Sequence, residues 1–142
     1  MKSIARICAF GLIGLVIFIS ACSRDDIYSK NFTAKNDAPI GGYDLAKYED
    51  GIFRCEGWSS DKEDGAPIKM VLIYVDGKAA GTAQLAIDRP DVVSFFNQSS
   101  FLKSGWQLSA KVPLNKGPHR SMALIYDSKD ALAVVTKDFI VK

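Results

Sequence analysis

The sequence predicts an all-β chain: an antiparallel β-sandwich of about six or seven short strands over residues 51–142, with one short helix crossing between its sheets. Three observations carry this. Apolar and polar residues alternate with period two, as in Trp106, Leu108 and Ala110 against Gln107, Ser109 and Lys111. Turn-forming clusters of Asp, Asn, Gly, Ser and Pro recur roughly every 8–12 residues. Nothing in the segment has the rhythm of strands alternating with long helices that a parallel sheet requires.

Each element has its own signal. Ile52–Ser59 alternates around Phe53 and Cys55, which places those two side chains inward on a strand. Ile68–Val75 is nearly continuous apolar, as in a central strand covered on both faces. Asp76-Gly77 follows, a strong hairpin signal because Gly accepts positive φ, and Ala79–Ile87 returns as the next strand. Val92, Phe95 and Phe96 stand at i, i+3 and i+4, the spacing of one helix face. Pro90 suits the first turn of that helix and Asp88 its cap. Trp106–Leu114 is the following strand, and Pro113 makes its end an edge or a bulge. Asn115-Lys116-Gly117-Pro118 is a turn. His119–Tyr126 and Leu132–Val141 form a last strand pair, parted by Asp127-Ser128-Lys129-Asp130.

Gly57-Trp58, Tyr74-Val75-Asp76-Gly77, Asp88-Arg89-Pro90-Asp91-Val92, Gly105-Trp106 and Gly117-Pro118-His119, taken as a set, are similar to bacterial immunoglobulin-like modules. Such modules sit at the ends of surface enzymes or on exported proteins. The similarity spans about residues 51–142. It implies an immunoglobulin-like fold in which these points are mainly structural, and it names no ligand, because that fold hosts many roles.

The first 22 residues read differently. Met1–Arg6 carries Lys2 and Arg6, Ile7–Ile19 is uncharged and mostly apolar, and Ser20-Ala21-Cys22 follows. A positive start, a short apolar run and small residues at its exit describe an export signal. Ile19-Ser20-Ala21-Cys22 resembles the lipobox of bacterial lipoproteins: an aliphatic residue, two small residues, then Cys. The resemblance implies cleavage after residue 21 and acylation of Cys22, with two or three acyl chains holding the chain firmly to a membrane. Residue 23 is Ser rather than the Asp that retains such proteins at the inner membrane, which implies the periplasmic face of the outer membrane. The alternative is an uncleaved signal anchor, since the uncharged stretch between Arg6 and Arg24 is near the lower length of a membrane span. That alternative, or retention, would leave the body facing outward on the inner or cytoplasmic membrane.

Residues 22–50 are expected to be the lipidated Cys and a tether. The segment is polar, mixes both charges and contains Pro39 and Gly41-Gly42. As a flexible linker it would reach about 30 Å. Tyr28, Phe32, Ile40, Tyr43 and Tyr48 are too apolar for a purely solvated one, so part of it is expected to pack back on the domain.

Charge excludes one class of function. The chain has 18 Lys+Arg and 16 Asp+Glu, and removing Lys2 and Arg6 with the leader leaves 16 of each. A neutral body is not a basic nucleic-acid-binding one. Cysteine usage limits chemistry further. Cys8 leaves with the leader and Cys22 is taken by lipid, so Cys55 has no intrachain partner and reads as a small buried hydrophobe.

No catalytic or metal constellation stands out, and no cofactor is expected. A metal site needs several converging ligands and the chain has one His, His119, which reads as a turn-fixing residue after Gly117-Pro118. Asp61, Glu63 and Asp64 fit only half of a calcium loop, with Lys62 where no positive charge is wanted, and read as a solvated turn. No carboxylate pair sits among apolar neighbours that would raise one pKa, and there is no nucleophile elbow, phosphate loop or dinucleotide fingerprint.

Two residues are candidate ligand contacts. Strict alternation puts Trp58 outward, where it could stack on a sugar ring or anchor a protein; a bulge at Gly57 would instead turn it into the core, or the tether would cover it. Arg89 could contact a ligand, or pair bidentately with Asp91 and fix its loop. Trp106 belongs to the core. The expected function is a non-catalytic binding or assembly module of the cell envelope. Its ligand would be a glycan, or an envelope or secretion protein met at a sheet edge, with a hydrolase as the least favoured alternative.

Overall fold

The computed structural model describes residues 38–142, so the leader, the lipobox with Cys22 and the first part of the expected tether lie outside the described residues. Eight strands form two antiparallel four-stranded sheets. They are β1 (Ile40–Glu49), β2 (Ile52–Ser60), β3 (Met70–Val75), β4 (Lys78–Thr82), β5 (Gln84–Ile87), β6 (Gly105–Lys111), β7 (Gly117–Tyr126) and β8 (Leu132–Val141). One helix, α1 (Pro90–Phe96), and a 3₁₀ turn at Ser99–Phe101 lie between β5 and β6. The sheet orders are β1-β2-β6-β5 and β4-β3-β7-β8. Counting β4 as the extra strand beside the three-stranded sheet, this is the immunoglobulin arrangement.

The expected tether ends earlier than residue 50. Ile40–Glu49 is a full strand paired with β2 from Ile40↔Ser60 to Glu49↔Ile52. The hairpin turns at Asp50-Gly51, with φ of 52° and 78°. This is the same Asp-Gly signal as Asp76-Gly77, whose φ values are 48° and 76°. The period-two pattern of β1 is broken by a bulge between Tyr43 and Leu45, which is why the strand does not show as alternation.

Further expectations change. Residues 51–142 hold seven strands, within the expected six or seven, and β1 is the eighth. The single strand expected over Ala79–Ile87 divides at Ala83 into β4 and β5. Ala83 is buried, and its N–H donates to the Val71 carbonyl at 2.9 Å as the chain passes from one sheet to the other. The helix therefore does not cross between sheets: it links β5 and β6 of one sheet. The expected double covering of β3 is also absent, because a sandwich has only two layers. Val71, Ile73 and Val75 face the core and Met70, Leu72 and Tyr74 are half-buried. Finally, β6 stops at Lys111, so Pro113 lies beyond its end.

The core is aromatic and β-branched. Phe53, Val71, Ile73, Trp106 and Ile125 are among its fully buried large side chains. Trp106 meets Tyr43 edge to face at 5.1 Å, and Phe53 packs on Phe139 at 5.2 Å. Burial of a Trp of this kind contributes roughly 5 kcal/mol. The Trp106 indole lies where a side chain at position 57 would stand: a Cβ on Gly57 would come within 2.2 Å of Trp106 Cζ2. Gly57 is thus not a bulge, and its pairing with Trp106 leaves the β2–β6 register continuous. Cys55 is 0 % exposed and unpaired. Burial raises its thiol pKa.

Candidate ligand-binding groove

With the β2 register unbroken, alternation holds and Trp58 points away from the core onto the outer face of its sheet. It is half-buried there, against Phe96 of α1 at a ring distance of 5.3 Å. The strand beside it makes room: a Cβ on Gly42 would stand 2.5 Å from the Trp58 indole nitrogen. Phe96 also meets Phe95 at 4.9 Å and Phe101 at 5.4 Å, so one side of this face is a row of aromatic rings.

The helix was expected to bury Val92, Phe95 and Phe96 together. Val92 is buried and Phe96 half-buried, but Phe95 is 83 % exposed. Phe95 lies about 100° around the axis from Phe96, and α1 ends at Phe96, where Asn97 turns left-handed with φ 52°. A seven-residue helix has no later turn to widen its apolar stripe over Phe95. Asp88 does not cap this helix; no side chain does, and Asp88 pairs with Lys103 instead.

Arg89 forms the opposite wall. Its Nε donates to Asp91 Oδ1 at 2.9 Å and its Nη2 to Asp91 Oδ2 at 2.6 Å, a bidentate fork. Its Nη1 donates to Asp44 Oδ2 at 2.7 Å. Asp44 sits in the β1 bulge, which turns it outward to meet the guanidinium. Gly105 gives Arg89 its path, since a Cβ there would come within 3.0 Å of the Arg89 stem. The fork, chiefly through the Arg89 hydrogen bonds, holds the Asp91 carboxyl down to about 2. The Asp91 bond chiefly raises the Arg89 pKa.

Trp58 and Arg89 are therefore brought into one groove, lined also by Asp44, Asp91, Val92, Phe95 and Phe96, with a volume of about 410 Å³. The sequence reading found Trp58 and Arg89 and missed Phe95 and Asp44. The signal for Asp44 was the Asp50-Gly51 hairpin, which would have made β1 a strand. Phe95 carried no separate signal, because its spacing matched a buried helix face.

The other sequence candidates stand apart from this groove. His119 Nδ1 bonds Asp76 Oδ2 at 2.6 Å and its Nε2 bonds the Asn115 carbonyl at 2.8 Å, while the ring stacks on Phe139 at 5.6 Å. It fixes the Asn115–Gly117 turn, and the Asp76 bond chiefly raises its pKa. Asp61 Oδ1 accepts the Glu63 and Asp64 N–H groups at 2.6 and 2.9 Å, closing its turn. Cys55 and His119 line different depressions. Among the described residues no group of three or more His, Cys, Asp or Glu side chains is arranged to hold a metal ion, and no helix is long and apolar enough to cross a membrane. No protein-family model and no curated protein matches the chain.

Proposed function

We propose that this chain is a non-catalytic binding module of the bacterial cell envelope, anchored through an acylated Cys22 at the periplasmic face of the outer membrane, and that it holds a glycan in the Trp58–Arg89 groove. The observation that carries the reading is the convergence of Trp58, Phe95 and Phe96 with the Asp44–Arg89–Asp91 cluster. A sugar ring has an apolar C–H face and a rim of hydroxyls. An aromatic wall facing a polar one offers a partner for each. An exposed Phe gains contact area only when something covers it. The committed ring nitrogens of His119 and the burial of Cys55 support a non-catalytic role. The leader and Ile19-Ser20-Ala21-Cys22 support the anchor.

A protein ligand at a sheet edge is the second reading. The feature favouring it is β8, an edge strand in its sheet with Ile140 71 % exposed and Val134 also exposed. Thr136 and Asp138 stand between those two on the same face, and Asp138 pairs with Arg120. Such polar interruption guards edges against pairing, so the groove is the better candidate.

The test is calorimetric titration of the full chain in detergent with cell-wall and polysaccharide fractions, beside Trp58→Ala and Phe95→Ala. Saturable binding is expected with at least one fraction, weakened at least tenfold in both variants. Binding that both variants leave unchanged, or none by folded protein, contradicts the groove. The mature protein should carry acyl mass on Cys22, and an unacylated mature chain contradicts the anchor.

A further inference from the structure

We infer that the groove selects neutral or cationic saccharides and rejects anionic ones. This deepens the glycan reading and rests on it. The polar wall carries one guanidinium against two carboxylates, a local net charge of −1. Three of the five guanidinium N–H groups already point into those carboxylates. The Arg89 side chain is only 21 % exposed, while those of Asp44 and Asp91 are 45 % and 63 % exposed. What the wall turns toward a ligand is therefore mainly carboxylate oxygen. Each carboxylate has about four lone-pair positions, and the Arg89 bonds use only part of them. Such a wall accepts hydrogen bonds from hydroxyl or ammonium donors and repels a uronate or a sulfated sugar.

The aromatic wall acts in the same sense. Ring faces are negative, so they attract the slightly positive C–H face of a sugar, and a cation more strongly. The neighbouring Lys103 does not reverse the balance, because Asp88 pairs with it.

The discriminating experiment titrates the full chain in detergent with three tetrasaccharides of equal length: N-acetylglucosamine (neutral), glucosamine (cationic) and galacturonate (anionic). The first two should bind, and galacturonate should bind at least tenfold more weakly. That gap should narrow in the D44N/D91N double variant. Should the double variant fail to fold, D44N alone leaves the Arg89–Asp91 fork whole and should narrow the gap in part. Galacturonate binding as tightly as the neutral tetramer, with the affinity lost in Trp58→Ala, would overturn the charge selection and leave the glycan reading standing. A gap unchanged in a folded D44N/D91N variant also overturns the selection. If none of the three binds, the glycan reading itself fails.

Discussion

Phe95 and Phe96 are adjacent, share a side-chain type and have opposite jobs. Phe96 is wedged between Trp58, Phe95 and Phe101. Phe96→Ala should lower stability by roughly 2 kcal/mol, less than a fully buried Phe would cost. Phe95 is 83 % exposed. Phe95→Ala should leave the denaturation midpoint within about 0.5 kcal/mol of wild type while reducing ligand affinity. Paired chemical denaturation curves separate the two, and a large loss from Phe95→Ala would mean that the ring is structural. Gly57 is the counterpart in the core. Gly57→Ala sets a Cβ 2.3 Å from the Gly42 carbonyl oxygen as well as against Trp106, and should cost about 3 kcal/mol. Trp58 and Arg89 were legible as candidates because alternation and the Arg-Pro-Asp spacing are local signals. That they meet was not, because the bulge at Asp44 and the crossing of α1 over the sheet are decided by tertiary packing.

Among elements, the His119 clamp has a pH dependence whose sign follows from its partners. Both ring nitrogens face acceptors, a carboxylate and a carbonyl, so the protonated ring alone donates to both. Its folded pKa is raised, chiefly by Asp76. The stability it adds is therefore present below the unfolded value of about 6.5 and lost as pH rises through the folded value. The Asp76 pKa is lowered, chiefly by the Arg120 backbone N–H and then by His119. Its contribution is present above about 3.9 and lost as pH falls through its folded value. Midpoints of wild type and His119→Gln should differ most near pH 5–6 and converge at about pH 9. A gap that widens with rising pH contradicts the clamp. Elements were unequally legible in the sequence. The Asp76-Gly77 hairpin and the alternation of β6 speak locally. β1 was hidden by Pro39, two glycines and a bulge, and the division at Ala83 arises only because the second sheet lies where the chain turns.

At the scale of the whole molecule, the sandwich was legible because period-two patterning forces one face of each strand inward, and two such sheets bury each other. Its function was not, since the same core supports any set of residues on its outer face. Here that face carries one groove joining an aromatic wall to an acidic one. The chain has two tryptophans, Trp58 in the groove and Trp106 in the core at 1 % exposure, and they make an internally controlled probe. The decisive measurement is the pair of indole N–H resonances of the full chain in detergent, followed by nuclear magnetic resonance as N-acetylglucosamine tetramer is added. The groove account predicts a saturating shift of the Trp58 signal while that of Trp106 stays in place. A Trp58 signal that stays fixed to saturating sugar, or two signals that move together, would contradict it.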